Sequence, residues 1–164
     1  MALARPATLA RVGLIAAVYL VLTVTPPLAS ISYGPVQVRV SEALMVLPAV
    51  TGEAVVGLFL GCLVANLIGG LGPVDVVLGS LATLIAGYLT SRVRNPWLVP
   101  VPTVVVNALV VGTYLPLILD LPTPFWVSWA YIALGELVAT TALGLPLLFF
   151  LRRRPGLLRL LRGG

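Results

Sequence analysis

Seven side chains set into apolar sequence carry the chemistry of this chain: Arg39, Glu42, Asn66, Asp75, Asn107, Trp129 and Glu136. In hydrocarbon such groups are expensive, so each calls for a partner, a watery cavity or a ligand. Arg39 and Glu42 are three apart, a spacing that pairs them on one helical face or sets both at a cavity mouth. Asn66 either ties helices together or meets a ligand. Asp75 reads as an N-cap at a helix start or as a site residue. Glu136 is the strongest single candidate, because a carboxylate deep in a helix costs about 3 kcal/mol on insertion scales. Trp126 and Trp129 fit an interfacial aromatic belt, and a ring there can also stack on a ligand. Glu53 and Asp120 stand at helix ends and read as solvated.

These groups point to binding rather than catalysis. The sequence has no phosphate-binding Walker motif, no nucleophile–histidine pair and no ordered acid–base couple. It therefore reads as neither an enzyme nor an ATPase. With no histidine and the lone Cys62 inside an apolar run, no thiolate or imidazole metal site is expected.

The elements that must position these residues are membrane helices. Of 164 residues, 60% are hydrophobic and 9% charged, with a mean hydropathy of +1.12. Soluble domains carry about a quarter charged residues. An integral membrane protein is expected, folded as a single domain over 1–164. Six hydrophobic segments follow one another, at about Ala10–Leu28, Ser41–Val50, Glu53–Ile68, Val74–Thr90, Trp97–Leu119 and Phe125–Leu151. Glycine and proline runs at 69–73 and 121–124 and the polar break at 91–96 separate them. The first segment ends in Thr25-Pro26-Pro27 without a small-x-small cleavage site, so it reads as a retained helix.

The second segment is short, because ten α-helical residues rise only about 15 Å, half a bilayer. The arginines decide whether it crosses. If it does, Arg5, Arg11, Arg92, Arg94, Arg152, Arg153, Arg154, Arg159 and Arg162 share one side and only Arg39 is left on the other. The positive-inside bias thus predicts an all-α bundle of six transmembrane helices with both termini cytoplasmic. The net charge of +5 is topological, and no nucleic acid is implied. In that arrangement Gln37, Arg39 and Glu42 lie at the outer face, and the polar groups gather in the outer half, Asn107 and Glu136 nearest the centre. The expectation is a cavity open to the exterior.

Small residues recur every fourth position. Gly57, Gly61 and Ala65 in the third segment and Gly79, Thr83 and Gly87 in the fourth predict close packing inside the bundle. Ala10, Gly13 and Ala17 in the first serve either packing or docking on another membrane protein.

The blocks VRVSEALMVLP and GLFLGCLVANLIGGLGPVDVVLGSLATLIAGYLT, extended by NALVVG at Asn107–Gly112 and GELVA at Gly135–Ala139, resemble the QueT family over about Arg11–Leu151. The first-helix pair Gly13/Ala17 stands where such proteins often show two alanines. The resemblance implies a six-helix substrate-binding (S) component of an energy-coupling factor importer for queuosine precursors. Such a component sits in the plasma membrane and captures a 7-deazaguanine-like molecule outside. It docks on a transmembrane coupling (T) component driven by two cytoplasmic ATPases, so ATP is used by the partners and no cofactor resides in this chain. Toppling in the membrane is thought to release the cargo. The resemblance also favours Ala10, Gly13 and Ala17 as the docking face. A 7-deazaguanine offers N–H donors to carboxylates and a carbonyl to Asn or Arg, and an aminomethyl form adds a cation that a second carboxylate favours. An S component for another vitamin or nucleobase, or a non-transporting membrane scaffold, are the alternatives.

Overall fold

The computed structural model describes residues 6–32 and 38–162; Arg5 and Gln37, which the sequence places at opposite membrane faces, lie outside the described residues. Every described element is helical. Helix α1 (Pro6–Val24) breaks at Thr25 and the chain restarts as α2 (Pro26–Ser32). The two prolines thus start a helix rather than end one, a role suited to a residue with fixed φ and no N–H to lose. A ten-residue 3₁₀ helix follows at Val40–Ala49, then α3 (Glu53–Gly69). Gly70, at φ +71°, closes α3 in the left-handed conformation that glycine adopts without strain.

The fourth segment opens as a π-helical turn, Asp75–Gly79, and continues as α4 (Ser80–Arg92). A single 3₁₀ turn at Pro96–Leu98 leads into α5 (Val101–Ile118). The last long run comprises α6 (Phe125–Leu137), a second π-helical stretch at Val138–Gly144, and α7 (Leu145–Arg152). A short amphipathic helix, α8 (Pro155–Arg162), ends the described chain. By length and apolarity, Pro6–Val24, Pro96–Ile118 and Phe125–Arg152 each suffice to cross a membrane, and Val40–Ala49 and Glu53–Gly69 are shorter apolar helices.

Packing explains the small-residue stripes. Gly57 and Gly61 lie against α1, where an added Cβ would come within 2.9 Å of Ile15 and 2.8 Å of the Ala16 carbonyl oxygen. Ala10, Gly13 and Ala17 occupy the opposite, exposed side of α1, with open space beside Gly13. The stripes therefore differ: one closes the α1–α3 seam, the other faces outward.

The 3₁₀ helix is the most enclosed element. Ser41, Glu42, Ala43, Met45, Val46, Leu47 and Pro48 are all buried. It packs against α1, α3, α4, α7 and the second π stretch. It runs from Arg39, bonded to Asn66 near the end of α3, to Val50, whose carbonyl accepts from Arg162 Nε of α8 at 3.1 Å. The 3₁₀ form rises about 2.0 Å per residue, so the element reaches about 20 Å rather than the 15 Å of an α-helix. Around its far end Val46, Val50, Val99, Leu145 and Leu148 form an apolar core, and Leu158 and Leu161 dock α8 onto it.

Candidate functional site

The near end of the 3₁₀ helix is where the polar residues meet. Arg39 precedes it in extended backbone, φ −91° and ψ 110°. Its Nη1 donates to Asn66 Oδ1 at 3.2 Å, and its Nε to the Ser32 carbonyl at 3.1 Å. Asn66, on the last turn of α3, in turn donates from Nδ2 to the Asp75 carbonyl at 3.1 Å. Asp75 Oδ1 accepts from the Tyr114 hydroxyl of α5 at 2.7 Å. One chain of bonds thus joins α2, α3, the first π turn and α5. Gly79 lies inside it, since a Cβ there would come within 2.8 Å of both Asn66 Nδ2 and the Tyr114 hydroxyl.

A second group lies alongside. Glu42, one turn into the 3₁₀ helix, accepts from the Tyr19 hydroxyl of α1 through Oε1. Beside it, Thr23 Oγ1 donates to Ser41 Oγ at 2.7 Å. From the far side of the bundle Glu136 Oε1 accepts from Asn107 Nδ2 at 2.7 Å. Glu136 lies in the last turn of α6, just before the second π stretch, and Thr140 Oγ1 donates to its carbonyl at 2.6 Å. Glu42 and Arg39 are both within coulombic reach of Glu136, so the two groups form one electrostatic cluster. Each π stretch abuts a carboxylate of the cluster, in keeping with the frequent use of π turns at functional sites.

The cluster is buried throughout. Arg39, Glu42, Asn66, Asp75, Asn107 and Glu136 are at most 6% exposed. Sequence reasoning predicted a cavity open to the exterior; the structure instead encloses these side chains. Four of their acceptor oxygens, Glu42 Oε2, Asp75 Oδ2, Asn107 Oδ1 and Glu136 Oε2, have no hydrogen-bond partner among the described residues. Each is a costly arrangement unless a donor reaches it.

Trp129 stands apart from this cluster. It is 37% exposed, donates from Nε1 to Thr113 Oγ1 at 2.9 Å, and packs over Gly112 on the α5–α6 seam. The aromatic members of the cluster are Tyr19 and Tyr114. Tyr19 carries no sequence signal, being one tyrosine in an apolar helix. Arg39 and Glu42 bond Asn66 and Tyr19 respectively while staying within coulombic reach of each other, and the Asp75 side chain bonds Tyr114 instead of capping its helix. Glu53 is not simply solvated: Arg11 Nη2 donates to its Oε1 at 2.6 Å across the α1–α3 seam. Asp120 is exposed, at φ 49° just past α5. Cys62 is buried and accepts from Thr83 Oγ1 at 3.2 Å, and no group of metal-ligating side chains forms among the described residues.

Comparison with known proteins adds a family. The family model described as QueT transporter matches residues 9–153. A curated relative, the queuosine precursor transporter QueT of Lactococcus lactis subsp. cremoris (strain MG1363), is 39% identical over 74 residues. That alignment covers 45% of this chain and 43% of the relative, so the chain spans less than half the length of the relative it matches. No solved structure matches significantly.

Proposed function

The chain belongs to the QueT transporter family, a family of transporters and not of enzymes, and on that footing we propose that it is the membrane-embedded capture subunit of an energy-coupling factor importer for a queuosine precursor. The observation that carries the reading is the set of unpartnered acceptors in the cluster: Glu42 Oε2, Asp75 Oδ2, Asn107 Oδ1 and Glu136 Oε2. A surplus of buried acceptors, three of them carboxylate oxygens, selects a ligand rich in N–H donors. A 7-deazaguanine presents such donors on its pairing edge and pyrrole ring, and its one carbonyl suits the Arg39 guanidinium. An aminomethyl substituent brings an ammonium toward a site with three carboxylates and one guanidinium. The finer reading is therefore the aminomethyl form rather than a neutral one.

Six crossings with both termini cytoplasmic accompany this function. The 3₁₀ helix supports them by reaching from the polar cluster to the α8 end. Arg11, Arg92, Arg94 and the arginines of 152–162 then share the cytoplasmic side of the plasma membrane. The exposed face of Ala10, Gly13 and Ala17 is the docking face for the transmembrane coupling component, whose two ATPases consume the ATP.

The test is binding by the detergent-purified chain, followed by calorimetry across a panel of 7-deazaguanines, other nucleobases and vitamins. Tightest binding of the aminomethyl deazaguanine is expected, with loss in Glu42→Gln and Glu136→Gln. Unchanged binding in both variants sinks the site, tighter binding of an unrelated vitamin sinks the substrate, and absence of any small ligand favours a scaffold. Uptake by cells is expected only when the coupling module is co-expressed.

A further inference from the structure

At the end of the bundle opposite the polar cluster, the 3₁₀ turn at Pro96–Leu98 leans on α7. The Trp97 and Phe149 rings meet there with centroids 5.0 Å apart, tilted by 57°. Beside them lies a groove of about 470 Å³, lined by Trp97, Pro146, Phe149, Phe150 and Arg153. That volume falls within the range of roughly 300–1,000 Å³ typical of small-molecule sites. Its walls are apolar and aromatic, and among the described residues that line it Arg153 alone is charged. Arg153 is fixed at the rim by the break between α7 and α8, where its backbone N–H bonds the Phe149 and Phe150 carbonyls at 3.2 Å. Arg152 and Arg154 flank it, Arg154 lying over the Phe150 ring at 5.6 Å.

We propose that this groove is a binding site for an anionic phospholipid, its acyl chain along Trp97, Pro146, Phe149 and Phe150 and its phosphate on Arg153. Charge complementarity selects the occupant. The groove joins an apolar trough to one cation, and an amphiphile with one anionic head satisfies both parts. A neutral lipid fills the trough and leaves the guanidinium unmatched. Trp97 is 67% exposed, and tryptophan favours the depth at which acyl chains give way to headgroups. The site is separate from the carboxylate cluster and does not depend on what that cluster binds.

The experiment is native mass spectrometry of the full chain, exchanged into mixed micelles holding equal phosphatidylglycerol and phosphatidylcholine of matched chain length. Retention of phosphatidylglycerol about fivefold over phosphatidylcholine is expected, the preference one phosphate–arginine contact supplies at a membrane surface. Arg153→Gln removes the preference without lowering total retained lipid, whereas Trp97→Ala lowers retention of both lipids. Arg159→Gln, an exposed arginine outside the groove, leaves the ratio unchanged. Added inorganic phosphate does not displace the lipid, which separates a lipid site from a phosphate site. Equal retention of the two lipids by the unaltered chain overturns the proposal. So does a preference that survives Arg153→Gln or falls equally with Arg159→Gln, since a diffuse basic surface accounts for either. A photo-reactive residue at position 97 that captures a coupling subunit instead of lipid in the assembled complex overturns it as well.

Discussion

At one end of the bundle Arg39 is buried and held by Asn66 and the Ser32 carbonyl; at the other, Arg152, Arg153, Arg154 and Arg159 stand exposed. The same side chain performs two tasks. The exposed arginines keep their hydration, and in the topology proposed above they bias the orientation across the bilayer. Arg39 is withdrawn from solvent, and the groups that bond it here stand on two elements, α2 and α3. Its surroundings decide the matter, since the near end of the 3₁₀ helix is lined by Glu42, Asn66, Asp75 and Glu136, while the far end is lined by Val46, Val50, Val99 and Leu148. One end gathers buried polar side chains and the other an apolar core.

The contrast can be broken by substitution. Arg39→Met is expected to have the largest effect. It leaves buried carboxylates uncompensated and costs about 3–5 kcal/mol of stability, read as a lower thermal unfolding midpoint in detergent together with lost ligand binding. Next come Glu42→Gln and Glu136→Gln. Each removes one charged acceptor from a ligand donor, about 1.5–3 kcal/mol, or roughly 10- to 100-fold in Kd. Unfolding without ligand should stay at the parental temperature or rise, so a large fall in the ligand-free midpoint would recast these carboxylates as structural. Gly57→Ala sharpens the comparison from the seam. Its new Cβ meets the Ile15 Cβ at 2.9 Å, and overpacking of this kind costs about 1–3 kcal/mol. Stability should fall while affinity in the surviving folded protein changes little. The smallest effect belongs to Arg11→Gln. The Arg11–Glu53 pair lies at the α1–α3 seam within reach of solvent, and ion pairs screened by water contribute little. Both the midpoint and Kd should barely move.

Much of the architecture was legible beforehand because its signals are local. Hydropathy located the apolar helices, and the glycine and proline runs at 69–73 and 121–124 separated them. The partners within the site were not legible. Spacing rules put Arg39 with Glu42, but they presume a helix through both, and Arg39 stands in extended backbone before it. Tyr19 went unread because a hydroxyl on an apolar helix acquires meaning only when another element brings Glu42 beside it. Trp129 was singled out for its chemistry, yet its neighbour Gly112 lets the α5–α6 seam draw it to the edge.

The 3₁₀ winding of Val40–Ala49 carries one more consequence. With three residues per turn, side chains recur on the same line at every third position, so Glu42, Met45 and Pro48 stack along one edge of the element. Lengthening or shortening the loop after Ala49 leaves that edge in place. Inserting one residue within the segment rotates everything beyond it by a third of a turn and swings Pro48 away from the edge that Glu42 defines. Inserting three preserves the edge and adds about 6 Å of reach. The edge therefore keeps its alignment only for insertions in steps of three, a counting rule that the α-helices around it do not share.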